Sequence, residues 1–226
     1  MAKEKSKTML VLAVGCGVLM LLVGLAIVGG VFFVKNTVDE FQEDMKDPTA
    51  KTLKVLGADQ LPEGYYPQFA MDIIMQVAII SNVPKEQDKD PVMGQDGMIY
   101  FSIPFVQADQ EVKGFFNGET NDPTVLRENG IDIDVDEVID RGILNLGGDE
   151  FMYVVQRGRV QTDGGRVDGL SAVVLIECES RKRTRFAIRY QQDPTPDVPA
   201  EQIDLSQTQC SPEALSNFFG FFDFCK

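Results

Sequence analysis

The chain has 226 residues, with 21 Lys and Arg against 35 Asp and Glu, a net charge of −14, four Cys, no Trp and no His. The missing His excludes Ser-His-Asp and Cys-His catalysis, imidazole general bases and His-ligated metal sites from this chain. So acidic a surface repels nucleic-acid phosphate, and 44% apolar with 25% charged residues is the balance of a folded domain.

Residues 1–7, with Lys3, Lys5 and Lys7 against Glu4, precede an uncharged run from Thr8 to Val34. As a helix those 27 residues reach about 40 Å, enough to cross a hydrocarbon core of roughly 30 Å. A cleavable signal has an apolar core of only about 7 to 15 residues, so residues 8–34 read as a retained signal-anchor. The lysines before the span and Asp39, Glu40, Glu43 and Asp44 after it place residues 1–7 in the cytoplasm and the remainder outside. The layout fits a single-pass protein of a bacterial inner membrane with a periplasmic domain. The bilayer is then one partner, and a second protein of the membrane or envelope is another. Ala13-xxx-Gly17 and Ala26-xxx-Gly30 also allow self-association through the span. Cys16 reads as a buried membrane thiol.

Without the three Lys and one Glu before residue 35, 18 basic and 34 acidic residues remain, a net charge of −16 on the exterior part. Residues 35–60 read as a stalk, helical up to Pro48 and again in a short second helix that ends at Gly57. The turn Leu61-Pro62-Glu63-Gly64-Tyr65-Tyr66-Pro67 then opens the extracytoplasmic domain, residues 61–226. Strand-like runs follow at Phe69–Ser81, Met98–Phe105, Ile131–Val135, Gly142–Leu146, Phe151–Arg157, Leu170–Cys178 and Arg183–Tyr190, separated by polar turns. Helical patterns are Ala108–Asn117, Thr124–Asn129 and the C-terminal segment. The expected class is α+β, a mostly antiparallel meander with helices on one or both faces. Residues 82–97 read as a long loop, and 191–209 as a linker to the last helix.

Three Cys lie beyond the span, which in an oxidising exterior predicts one disulfide and one free thiol. Ser211-Pro212-Glu213 reads as an N-cap, a proline at N1 and an acidic first turn, opening a helix towards Phe224. Along such a helix Cys210 and Cys225 would stand about 22 Å apart, too far to bond. Cys178 is therefore expected to pair with Cys225, which shares a helical stripe with Leu215, Phe218 and Phe222, or else with Cys210.

Gly147-Gly148-Asp149-Glu150-Phe151 resembles the signature of the diguanylate cyclases, which implies nucleotide cyclisation with a carboxylate-bound metal. The histidine of that family's G-H pair has no counterpart here, and Asp132-Ile133-Asp134 lies far closer to the glycines than the family's metal-binding carboxylate does. The five residues are expected to be a glycine turn with solvated acids. Asp132, Asp134 and Asp136 are candidate calcium ligands, but Glu137 and Ile143 stand where an EF-hand loop needs Gly and Glu. Their alternation with Ile131, Ile133 and Val135 also suits a half-wet strand.

All nine Arg follow residue 126, and Arg181, Lys182, Arg183, Arg185 and Arg189 concentrate cations at one turn. Arg181, Lys182, Arg183 and Arg185 either offset the protein's own carboxylates or are contacts for anionic lipid, a polyanion or an acidic partner. Phe221 and Phe224 fall off the apolar stripe of the last helix and are expected to fill a second contact within the domain or to serve as docking residues for another protein. No cofactor site is legible. The expected function is a non-catalytic binding or complex-accessory module, with a carboxylate-metal enzyme or sensor as the alternative.

Overall fold

The computed structural model describes residues 48–73, 75–85, 93–104, 108, 110–128, 133–162, 165–178 and 183–225, with backbone alone at 133–134, 160–162 and 165–167. The strands are β1 (Tyr66–Asp72), β2 (Gln76–Ser81), β3 (Asp96–Pro104), β4 (Ile133–Leu146), β5 (Asp149–Thr162), β6 (Gly165–Glu177) and β7 (Arg183–Gln192). The helices are α1 (Thr49–Leu56), α2 (Gln110–Asn117), α3 (Thr124–Glu128) and α4 (Pro212–Phe219). All seven strands join one antiparallel sheet in the order β1-β2-β3-β7-β6-β5-β4. The class is α+β. The expected meander is in fact two meanders, β1 to β3 and β4 to β7, joined where the third strand pairs with the last.

Two strand readings change. Phe69–Ser81 is a hairpin turning at Ile73 and Met75, where no Gly, Pro or Asn marks the turn. Ile131–Val135 and Gly142–Leu146 belong to one 14-residue strand from Ile133 on, whose register shifts at Val135/Glu137 and Val138/Asp140. Bulges let this edge strand keep pairing through its acidic middle.

Both faces of the sheet are covered, which is why the strands are apolar on both sides. On one face the register aligns Ala70, Ala78, Tyr100, Ala187, Val174, Tyr153 and Gly142 across all seven strands. That face packs against Val55 and Leu56 of α1 and Leu215, Phe218, Phe219, Phe222 and Phe224 at the C-terminus. On the other, Val112, Phe115 and Phe116 of α2 and Val125 and Leu126 of α3 cover Val154, Val173, Leu175, Phe186 and Ile188. Beyond them, Phe69, Met71, Val77 and Ile79 on β1 and β2 are only half-buried.

Residues 48–60 of the expected stalk pack with the domain, and residues 35–47 lie outside the described residues. Leu56 is fully buried in the core and Lys54 Nζ lies 2.9 Å from Asp72, so α1 is part of the domain. The expected linker is also tied down. Arg157 bonds through Nε to Asp193 (2.7 Å), through Nη1 to the Val198 carbonyl (2.8 Å) and through Nη2 to the Thr195 carbonyl (3.1 Å).

Among the described residues no helix is long and apolar enough to cross a membrane; Thr8–Val34 lies outside them.

Candidate binding cleft

The last helix begins as its sequence indicates, with Pro212 at its first turn and the Ser211 hydroxyl accepting the Ala214 N–H at 3.2 Å. It stops at Phe219 rather than running to Phe224. The chain then turns, the Phe222 N–H bonds the Phe219 carbonyl at 3.0 Å, and the Asp223 N–H reaches the Gly57 carbonyl at 3.3 Å. Cys225 therefore lies beyond the helix rather than on its stripe. It is bonded to Cys178, with Cα atoms 5.5 Å apart, and Cys210 is a free, buried thiol. Burial pushes the Cys210 thiol up to about 12, which leaves it inert as a nucleophile.

This pinned tail forms one wall of a cleft. Gly57 caps α1 in the left-handed conformation (φ +62°), and the Ala58 N–H closes the helix on the Leu53 carbonyl at 2.9 Å. A Cβ at Gly57 would meet the Asp223 carbonyl. Gly57→Ala is expected to lower stability by about 2 kcal/mol in urea unfolding, through both φ and the clash. Gly148→Ala has a positive φ but open space around it, so about 1 kcal/mol is expected there. Equal costs at the two positions would show that the contact between α1 and the tail is soft.

The cleft encloses about 280 Å³ and is lined by Lys54, Val55, Gly57, Gln76, Tyr100, Arg185, Asp223 and Phe224. Strand alternation puts Arg185 on the α1 and α4 face, where it is 1% exposed. Arg183 Nη1 donates to Gln76 Oε1 at 2.8 Å. Phe224 stacks on Tyr100 with ring centroids 5.3 Å apart. Burial raises the Tyr100 phenol, opposed by the Arg185 charge and a bond to Ser102. The cleft thus gathers two cations, an amide and a phenol around one carboxylate.

The residues singled out from sequence divide accordingly. Arg181, Lys182 and Asp132 lie outside the described residues, as does the Asp134 side chain. Arg185 is a buried cleft residue, not a solvent-facing contact, because both faces of β7 are covered. Phe224 is core, not docking surface, whereas Phe221 is exposed. Asp136 is exposed and shares an open groove of about 360 Å³ with Glu137 and Arg141. Asp149 and Glu150 are exposed beyond a turn in which Gly147 (φ +63°) and Gly148 (φ +100°) supply the positive φ of a tight hairpin. Among the described residues no three His, Cys, Asp or Glu side chains converge as metal ligands.

Sequence reasoning missed a second buried cation. Arg189 is fully buried on the same face of β7. It ion-pairs with Asp96, donates to the Gly97 carbonyl (3.0 Å) and to the Tyr65 hydroxyl, and lies 3.9 Å over the Phe218 ring and 4.9 Å over Tyr65. Tyr65 in turn donates to Asp96. The available signal was parity: Arg185, Ala187 and Arg189 share one side of a strand whose other side is Phe186, Ile188 and Tyr190.

No protein-family model matches the chain, and no curated protein matches it.

Proposed function

We propose that the chain is a single-pass, membrane-anchored protein whose acidic extracytoplasmic domain is a non-catalytic binding or complex-accessory module. Its cleft takes an anionic group, either from another membrane or envelope protein or from a small ligand. The cleft is the observation that carries this reading. It presents Arg185, Lys54, Gln76 and Tyr100 with the single Asp223 carboxylate around a space of about 280 Å³, a lining in which cations outnumber the carboxylate and which lacks the paired carboxylates that a metal-assisted or general acid-base reaction needs. The apolar span Thr8–Val34 and the lysines before it support the anchor and its orientation.

Both parts are testable on the full-length chain. Protease added to right-side-out vesicles is expected to remove a C-terminal epitope, and survival of the epitope overturns the orientation. Inorganic phosphate is expected to raise the Tm by roughly 3 to 6 °C over chloride of equal ionic strength, as a ligand at about tenfold its Kd does. Gln76→Leu is expected to abolish the rise. An unchanged rise in that variant, or none in the parent chain, overturns the cleft as an anion site.

A further inference from the structure

We propose that the apex of the β1–β2 hairpin, Ile73 and Met75 with Lys51 and Lys54 beside it, is a docking tip that seats the domain on an anionic bilayer surface. The inference rests on the anchored reading above and adds which corner of the domain meets the lipid.

The apex is apolar where a turn is ordinarily polar. Ile73 is 51% exposed and Met75 39%, two of the five large apolar side chains left in solvent among the described residues. Met71 and Val77, paired across the same hairpin, are half-buried, because α2 and α3 cover the strands further along the sheet and not this pair. The apolar surface therefore extends from the tip along the hairpin.

Cations flank it. Lys54 pairs with Asp72 at 2.9 Å and is 74% exposed, and the Lys51 charge also acts on Asp72. Burial works against ionisation of the Asp72 carboxyl, but hydrogen bonds from Lys54 and Gln76 with the two lysine charges outweigh it and hold it below the usual carboxylate range. Arg183 joins the same corner through Gln76. Lys51, Lys54 and Arg183 outnumber the carboxylates of Asp72 and Asp223 there, a positive corner on an exterior part, residues 35–226, of net charge −16. An apolar tip with cations along its α1 side is the chemistry that anionic headgroups over an acyl boundary accept.

Chain length lets this corner reach the bilayer. Residues 35–47, thirteen in all, separate the apolar span from Pro48. They reach at most about 45 Å extended and about 20 Å as a helix. Pro48 lies only three residues before Lys51, so the chain enters the domain beside the hairpin apex. At the same end of the strands, but five strand spacings or about 24 Å across the sheet, the β4–β5 turn exposes Asp149 and Glu150. Docking by the β1–β2 corner lifts these acids away from anionic lipid.

The absence of Trp makes the test direct. Ile73→Trp, Met75→Trp and Ile143→Trp, the last at the 57% exposed side chain on β4, are each introduced into the full-length chain in phosphatidylglycerol and phosphatidylcholine vesicles. Brominated lipid is expected to quench Trp emission about two-fold at positions 73 and 75 and to leave position 143 unchanged, as shallow insertion requires. Lys51→Glu with Lys54→Glu is expected to relieve the quenching. Equal quenching at 73 and 143, or none at 73 in chains that float with the vesicles, overturns the docking tip and leaves the anchor standing. Failure of the chain to float overturns both. A blue shift at 73 without quenching assigns the tip to a protein surface, a second copy included, and also overturns it.

Discussion

Asp96→Ala is expected to lower the unfolding free energy by about 3 to 5 kcal/mol, the cost of leaving a buried charge uncompensated. Arg189 has no exposure of its own, and Asp96 supplies both the ion pair and an acceptor 2.9 Å from Nη2. Without that carboxylate the guanidinium keeps the Gly97 carbonyl, the Tyr65 hydroxyl and the faces of two rings, which balance only part of its desolvation. Arg189→Met alone is expected to cost less, since Asp96 is partly open to water, and adding it to Asp96→Ala is expected to recover most of the loss. Urea midpoints of the two single variants and the double variant form the cycle. A coupling below about 1 kcal/mol would mean the pair behaves as a surface ion pair. The network also has an alkaline limit. Burial, with the bond to Asp96 behind it, pushes the Tyr65 phenol from 10.0 up to about 12. Its folded-state pKa is raised, so its contribution is whole below pH 10 and is lost as pH climbs through about 12.

Cys225→Ser is expected to cost about 4 kcal/mol, the loop-closure entropy released when a crosslink between residues 47 apart is removed from the unfolded chain. Its structural effect is local. The α4 residues Phe218 and Phe219 still hold the helix to the sheet, whereas Phe222 to Cys225 lose their far fixing point, and with them Asp223 and Phe224 leave the cleft wall. Oxidised and reduced parent protein, compared by urea unfolding, should differ by the same amount. A loss under about 1 kcal/mol would show that aromatic packing at the tail already holds it in the absence of the bond. Cys210 reports the difference between local and global change. Buried and inert in the folded state, it should react with a thiol reagent only when the domain opens.

The strands were largely legible because a doubly covered sheet writes itself as apolar, β-branched and aromatic runs, and polar turns separate most of them. The breaks that went unseen have chemical reasons. Ile73 to Met75 turn the chain with apolar residues, and Asp136 to Asp140 continue a strand through bulges although acids usually signal its end. The last helix was readable at its start from Ser211-Pro212-Glu213. It stops at Phe219, and the tail beyond it is held by pairing of Asp223 with Gly57 and of Cys225 with Cys178, which no local pattern encodes. The candidate site was half visible: Arg183, Arg185 and Phe224 stood out by type, but their direction depends on which faces of the sheet are covered. Lys54, Gln76 and Tyr100 gave no signal, because only the fold of α1 over the β1–β2 hairpin brings them to the arginines.

The order of strands has a consequence for how the chain acquires its structure. Gly97 on β3 and Arg189 on β7 are 92 residues apart. A chain emerging from its N-terminus completes β1 to β3 early, then holds an open strand edge until the last strand arrives. Such distant pairing makes folding slow. The same late event brings Arg189 to Asp96, so closing the sheet and neutralising its buried charge are one step. The interval before it is when the open edge of β3 leaves this chain most exposed to aggregation.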